Sequence, residues 1–132
     1  MSTEENKAIV RRLFEAVNAQ DFDVYDQLMS PETAQRAKDT TRWIYATFEG
    51  HRFDVVDQAA EGDKVMTRFT SRGGHSGEWE GVPPTGKQWT NKGFSYHRLE
   101  NGKVVEYETV VDALGHLKQL GATITPPAES PA

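Results

Sequence analysis

The sequence predicts an α+β domain in which amino-terminal helices pack on an antiparallel sheet made by the rest of the chain. Apolar residues recur at helical spacing up to Phe48, and after Gly50 the pattern changes to the alternation of β-strands. A block of helices followed by a block of strands is typical of α+β folds, whereas α/β folds alternate the two. A chain of 132 residues fits one domain with a single core.

Three helices are expected in the first part of the chain. Ser2 with Glu5 three residues later is a capping-box pattern, and apolar positions at helical spacing follow it. Pro31 closes the second, shorter helix, because proline lacks the N–H that a continuing helix needs. The predicted helices cover residues 3–19, 22–29 and 32–48.

Two turns organise the strands. Glu61-Gly62-Asp63 is a turn by composition, and Asn101-Gly102 indicates a type I′ hairpin, because both residues tolerate positive φ. A short amphipathic turn is expected over residues 114–120. We expect a single domain over residues 1–121 and a disordered tail over 122–132, which carries three of the six prolines.

Composition excludes several classes of function. Fifteen basic and twenty acidic residues give a formal charge of −5 that is spread along the chain, which argues against partners such as nucleic acid or an anionic membrane. Cysteine is absent, so thiolate chemistry and disulfides are excluded. The first residues do not resemble a signal peptide or a membrane span, and a cytoplasmic location is expected.

No cofactor or metal site is predicted. The glycine-rich segment 73–86 contains Pro83-Pro84 and does not open a helix, so it is not a phosphate-binding loop. The histidines are scattered without metal-ligand spacing. Of these, His51 and His116 have no pocket context and are expected at the surface.

The hairpin turn predicts which strand residues face each other. With a two-residue loop, Asn91 would lie opposite Asp112 and His97 opposite Glu106. These residues, together with Glu108, would then share one face of the sheet. A β-bulge in either strand would shift the pairing by one residue and send Asp112 to the other face.

Asp112 has two interpretations. It follows Val110-Val111 and precedes Leu114, and this apolar setting could raise the pKa of its carboxyl towards the range of a general base, with His97 assisting. Alternatively, Asp112 caps the final helical turn by accepting backbone N–H bonds. Position along the chain favours the cap.

Aromatic residues could supply flat walls for an unsaturated ligand. Trp79, with His75 nearby, stands among glycines where little local structure would bury it, so it is a pocket candidate. Trp43 and Trp89 are further candidates, although each could equally belong to the core.

Several separate blocks resemble the SnoaL-like polyketide cyclase family of the nuclear transport factor 2-like superfamily. The resemblance runs from about Glu4 to Gly121. It is carried by Gly81-Val82-Pro83-Pro84-Thr85-Gly86-Lys87, Glu100-Asn101-Gly102-Lys103, Glu106, Asp112 and Gln119-Leu120-Gly121.

The resemblance implies a cone-shaped fold with an internal pocket and a homodimer or homotetramer. It also implies that Asp112 is the acid/base residue, reversing the preference for the cap, and that His75 matches a histidine of the family. Two features depart from the family: Glu108 stands where a tryptophan is usual, and Phe48-Glu49-Gly50 replaces a Phe-Pro-Asp segment.

These observations favour a cofactor-free acid/base enzyme that closes a ring in a polyketide-like carbonyl compound by an aldol step. Asp112 and His97 would be catalytic, and Asn91 and Glu108 would join the aromatic candidates in binding substrate. The alternatives are a binding or accessory protein that holds a hydrophobic ligand, or an isomerase, dehydratase, epoxide-opening cyclase or hydroxylase of the same superfamily.

Overall fold

The computed structural model of the chain describes residues 1–128, in which three helices precede four strands and a short final helix. The elements are α1 (Thr3–Ala19), α2 (Phe22–Leu28), α3 (Pro31–Thr47), β1 (Phe48–Glu61), β2 (Lys64–His75), β3 (Gln88–Glu100), β4 (Lys103–Val111) and α4 (Ala113–Gln119). The strands form one antiparallel sheet in the order β1-β2-β3-β4. The α+β prediction is confirmed.

Helix α1 begins as its sequence predicts. The Ser2 hydroxyl accepts a bond from the Glu5 N–H at 3.1 Å, and the Glu5 carboxylate accepts one from the Ser2 N–H at 3.2 Å. Its buried stripe includes Val10, Leu13 and Phe14, which pack against the sheet. Capping and an apolar stripe thus fix both the start of the helix and its orientation.

The link between α2 and α3 is attached to the last strand. Pro31 lies in the first turn of α3, where its missing N–H costs nothing, so it opens this helix after α2 has ended. The Ser30 N–H and the Thr33 hydroxyl both donate to the Val104 carbonyl, each at 2.9 Å. These two bonds anchor the helical layer on β4 at Val104.

The β3–β4 hairpin turns as predicted and then departs from the predicted pairing. Asn101 and Gly102 have φ values of 51° and 77°, as a type I′ turn requires. Leu99 pairs with Val104, but the next pair joins Arg98 to Glu106. Val105 is therefore the extra residue of a β-bulge.

The bulge overturns the predicted register. His97 pairs with Tyr107 and not with Glu106, and the predicted pairing of Asn91 with Asp112 is wrong because the ladder ends with Gly93 opposite Val111. Since side chains alternate along a strand, one extra residue moves every later side chain of β4 to the other face. Tyr107 and Thr109 thereby join His97 and Ser95 on the face that the helices cover.

The two faces of the sheet differ sharply in composition. Beneath the helices lies the core, with Val65, Phe69 and Leu99 among its buried residues. On the outer face Phe94 is 55% exposed and Val110 is 70% exposed, and these two residues are cross-strand partners. An apolar patch is therefore left uncovered on the outer face of a single chain.

The carboxyl-terminal segment is described only in part. Residues 122–128 run without helix or strand, and 129–132, which belong to the predicted disordered tail, lie outside the described residues. Within residues 1–128, no helix combines the length and apolarity needed to cross a bilayer.

Candidate active site

A small cavity lies between α1, α3 and the inner face of the sheet. Its volume is about 100 Å³. Most of its wall is apolar and is formed by Leu13, Phe14, Val17, Met29, Ile44 and Phe53. Its polar groups are Tyr25, Thr40, Thr41, His97, Tyr107 and Thr109. The cavity is therefore suited to a mostly apolar ligand that has a few polar atoms.

His97 is the titratable group that enters this cavity from β3. Burial lowers its pKa from 6.5 to about 4, because a charged imidazolium would lose its hydration, and the ring is therefore neutral at pH 7. Its ring is parallel to Tyr107 at a centroid distance of 5.8 Å and meets Phe14 at 6.2 Å. Within residues 1–128 its Nδ1 atom is buried and has no hydrogen-bond partner.

Two cavity hydroxyls are already engaged. The Thr41 hydroxyl donates to the Ala37 carbonyl at 2.8 Å, so in its 2.7 Å contact with the Tyr25 hydroxyl Thr41 accepts and Tyr25 donates. Burial raises the pKa of Tyr25 to about 12. Tyr25 therefore holds its proton at neutral pH and shapes the wall of the cavity.

Asp112 lies outside the cavity. Because Tyr107 and Thr109 point inward, alternation turns Asp112 the other way, and its side chain is exposed beside Arg72 and Lys92 in an open groove. Its Oδ1 atom accepts the Gly115 N–H at 2.9 Å, which makes it the N-cap of α4. The predicted apolar environment is wrong, and the helix-cap interpretation is confirmed.

The candidates from the glycine-rich segment and from early β3 form a separate aromatic cluster. The His116 ring of α4 lies 3.9 Å from Trp89 and 4.3 Å from Trp79, measured between centroids. Asn91 contacts His116 at 3.4 Å, and His75 accepts the Thr85 N–H through Nδ1 at 3.1 Å. Trp89 thus belongs to a second hydrophobic cluster, with Phe48 and Leu120, against which Trp79 packs.

His51 and His116 correct a further expectation, because both are buried and not at the surface. The helix α4 folds back onto β3, and His116 is the residue that it buries there. A helical turn at the end of a chain gives no indication from its sequence of which strand it will cover. Among the described residues, no three histidine, cysteine, aspartate or glutamate side chains are grouped to hold a metal ion.

The remaining candidates face outward. Glu108 is exposed on the outer side of β4, in a groove with Glu32 and Arg36, because of the same bulge. Trp43 is 48% exposed and meets Phe48 edge-on at 5.8 Å. Of the predicted site residues, His97 therefore lines the cavity and the others lie elsewhere.

The cavity residues Tyr107 and Thr109 and the stripe on α3 were not predicted from the sequence. Tyr107 and Thr109 face the cavity only because the bulge shifts the register of β4. The stripe was visible, because Ala37, Thr40, Thr41 and Ile44 follow the i, i+3, i+4, i+7 spacing of one helix face, and all of them line the cavity. Two central threonines make this face less apolar than a usual core stripe.

The fold and site define a class of protein: an α+β fold whose helices and antiparallel sheet line a mostly apolar cavity with one buried neutral histidine. The chain belongs to the SnoaL-like polyketide cyclase family, whose sequence profile matches residues 7–120. Membership indicates an enzyme of the cyclase type.

Individual relatives agree with this assignment. Aklanonic acid methyl ester cyclase AcmA of Streptomyces galilaeus is 28% identical over 131 residues, covering 89% of this chain and 91% of its own. The crystal structure of AclR, a hydroxylase candidate from the same organism, matches with a TM-score of 0.81 at 26% identity. The match covers 96% of this chain and 91% of the AclR chain. The crystal structure of IdmH of Streptomyces antibioticus matches with a TM-score of 0.79 at 28% identity. The match covers 89% of this chain and 99% of the IdmH chain.

The position of Asp112 leads to a prediction that separates its two interpretations. We expect Asp112→Asn to keep near wild-type turnover and stability, because asparagine caps helices as well as aspartate does. Asp112→Ala should lower the free energy of unfolding by about 1 kcal/mol through loss of the cap. Urea unfolding and product formation measure the two effects. A hundredfold loss of turnover in a stable Asp112→Asn protein would show that the Asp112 carboxylate takes part in catalysis.

Proposed function

We propose that this protein is a cyclase that closes a ring in a polyketide-like carbonyl compound inside the cavity, with His97 as its acid/base residue and no cofactor. The observation that carries the proposal is the neutral, buried imidazole of His97, which lines a mostly apolar cavity. Such a group can take a proton from carbon and return it to oxygen.

The reaction balances within one substrate molecule. His97 removes a proton from the carbon next to one carbonyl, and the resulting enolate carbon attacks a second carbonyl of the same molecule. A carbon–carbon bond forms, and the new alkoxide takes back the proton from the imidazolium. The product is an isomer of the substrate, so the step consumes no oxidant or reductant.

The lowered pKa of His97 has two opposing effects on this chemistry. A base with a pKa of about 4 is intrinsically weak, which slows proton abstraction. However, the developing enolate is an anion beside the forming imidazolium, and their attraction is strong where water is excluded. The same burial that weakens the free base therefore strengthens the ion pair in the transition state.

Two hydroxyls supply candidates for binding the substrate carbonyls. Tyr107 and Thr109 line the cavity on the strand that pairs with His97, and neither hydroxyl is hydrogen-bonded to another group of residues 1–128. A donor aimed at a carbonyl oxygen stabilises the enolate more than the ketone, because charge builds up on that oxygen. We assign them to orientation of the substrate.

A second candidate function is hydroxylation of a similar substrate, as suggested for AclR. Among the described residues no carboxylate lines the cavity, so the acid/base group available there for an aldol step is the imidazole of His97. A third is ligand binding without reaction.

Mass spectrometry separates these functions. Incubation with aklanonic acid methyl ester, the compound in the name of the relative AcmA, should give a product of unchanged mass and new retention time if a ring closes. A gain of one oxygen would indicate hydroxylation and contradict the cyclase proposal. Recovery of the substrate unchanged, although it binds, would indicate a binding protein.

We also propose that two chains associate through the outer face of the sheet, as a dimer or as the core of a tetramer. Phe94 and Val110 are exposed there, with Met66 on the neighbouring strand 46% exposed. Light scattering at micromolar concentration should give at least twice the mass of one chain, and Phe94→Lys should lower it. Trp43→Lys is the control away from this face. A single-chain mass for the wild-type protein would contradict association.

A further inference from the structure

The cavity is too small to hold the whole of a polyketide-like ligand. Its volume of about 100 Å³ compares with roughly 300–1,000 Å³ for usual ligand pockets. An apolar cavity of about 150 Å³ holds a single benzene molecule, so this cavity has room for about one ring. The remaining rings of such a ligand must therefore lie outside the cavity.

The cavity opens to solvent between α3 and β4. Thr40 of α3 and Thr109 of β4 both line the cavity, and both are exposed. These two threonines define the mouth of the cavity. A ligand longer than the cavity therefore leaves it between α3 and β4.

Helix α3 and strand β4 run in the same direction on the two sides of the mouth. Near the start of both elements, the Thr33 hydroxyl donates to the Val104 carbonyl at 2.9 Å. Further along both elements, the guanidinium carbon of Arg36 lies 4.0 Å from the centre of the Tyr107 ring. The mouth follows this second contact, so the residues beyond the mouth come from the later parts of α3 and β4.

Trp43 and Val111 are the next residues on the same two faces beyond the mouth. Trp43 follows Arg36 by two helical turns and so lies on the same face of α3. Val111 follows Tyr107 by an even number of residues and so lies on the same face of β4. With rises of about 1.5 Å per helix residue and about 3.3 Å per strand residue, Trp43 lies about 10 Å beyond Arg36 and Val111 about 13 Å beyond Tyr107. The two side chains are therefore nearly level.

Contacts and exposure support this placement. A Cβ atom at Gly93, the β3 partner of Val111, would approach the Cγ1 atom of Val111 to 3.0 Å and the Cζ atom of the buried Phe69 to 2.7 Å, so Val111 points to the inner face of the sheet. Although the helices lie on this face, Val111 is 39% exposed and Trp43 is 48% exposed. Trp43 and Val111, named the lip below, therefore offer an uncovered apolar surface beside the mouth.

We propose that the lip binds the part of the ligand that the cavity cannot hold, so that the preferred ligand is a flat fused-ring compound with one ring in the cavity and another stacked on Trp43. An indole ring presents a flat apolar face on which a second aromatic ring stacks favourably. The inference rests on the proposed function in that it takes the cavity as the ligand site. It adds a preference for ligands of a certain length and flatness.

Equilibrium dialysis with two uncharged probes tests the lip. The probes are phenol, whose single ring fits the cavity, and 1,8-dihydroxyanthraquinone, which has three fused rings. We expect Trp43→Ala to raise the Kd of the three-ring probe by about tenfold, the scale of a lost aromatic contact, and to leave the Kd of phenol within about twofold of the wild-type value. Trp43→Phe keeps a flat ring and should recover most of the lost affinity.

Val111→Ala is an independent test on the other side of the lip. It should raise the Kd of the three-ring probe by about threefold, because less apolar surface is buried against the ligand. Val56→Ala is the matched control, since Val56 is 47% exposed on the opposite edge strand, β1, and lies outside the cavity lining. Its Kd for both probes should equal that of the wild type.

Several results would overturn the lip. One is an unchanged Kd of the three-ring probe in Trp43→Ala and Val111→Ala. Another is an equal loss for phenol, because Trp43 would then support the cavity wall. A lower Kd of the three-ring probe in Trp43→Ala would show that Trp43 obstructs the mouth, and failure of the wild-type protein to bind this probe would also contradict the lip. Probe binding needs no turnover, so recovery of the methyl ester unchanged would contradict the cyclase proposal while leaving these Kd values as expected.

Discussion

Replacing His97 by leucine is expected to lower turnover by at least about a hundredfold, the usual scale for loss of a general acid/base group. Leucine fills a similar volume but has no atom that can take a proton. Stability should hold or rise, because the change removes a buried nitrogen that has no partner within residues 1–128. The measurements are product formation and urea unfolding on the same preparation.

His51→Leu is the matched control for this experiment. His51 is also buried, and burial likewise lowers its pKa to about 4, yet it lies among Phe48, Phe53 and Trp89 outside the cavity lining. Turnover in this variant should stay close to that of the wild type. Near-normal activity in His97→Leu, or an equal loss in His51→Leu, would show that His97 is not the acid/base residue.

Acid is expected to unfold this protein between about pH 6.5 and pH 4. Burial lowers the pKa of His51, His97 and His116 from 6.5 to about 4 in the folded state. Between these two values the unfolded chain binds more protons than the folded one, so stability falls as the pH falls. Each histidine contributes a loss of about 1 to 3 kcal/mol. Together they approach the usual total stability of about 5 to 15 kcal/mol.

Urea unfolding at pH 7 and at pH 5 measures this effect. Removing one of the three groups, as in His51→Leu, should make the free energy of unfolding less dependent on pH across this window. His116 packs against Trp79 and Trp89, so tryptophan fluorescence should report the loss of that cluster on acidification. A free energy of unfolding that is constant from pH 7 to pH 4.5 would contradict the buried, neutral state of these histidines.

Most of the secondary structure could be predicted because its signals are local. The Ser2–Glu5 capping box, the Pro31 boundary and the Asn101-Gly102 turn each depend on residues within a few positions of one another. The observed helices lie within about two residues of those predicted from these signals. Local propensity and tertiary structure agree at these positions.

The candidate site was predicted far less well. It depended on the pairing of β3 with β4, and a single extra residue at Val105 reversed the faces of Tyr107, Glu108 and Thr109. Resemblance to the family had assigned catalysis to Asp112, which the structure places at a helix cap. His97 lines the cavity, and its position is unaffected because the extra residue belongs to β4 and not to β3; its catalytic role stays a prediction.

The sequence by itself determined the α+β class, the order of the elements, the hairpin and the family. Only the tertiary structure decided which side chains meet in the cavity. The Val104 carbonyl accepts hydrogen bonds from the Ser30 N–H and from the hydroxyl of Thr33, which precedes Val104 by 71 residues in the sequence. The extra residue of β4, Val105, follows directly after Val104. A contact between a helix and a distant strand leaves no periodic pattern in either segment. Since side chains alternate along a strand, the bulge at Val105 decides which β4 side chains line the cavity and which meet solvent.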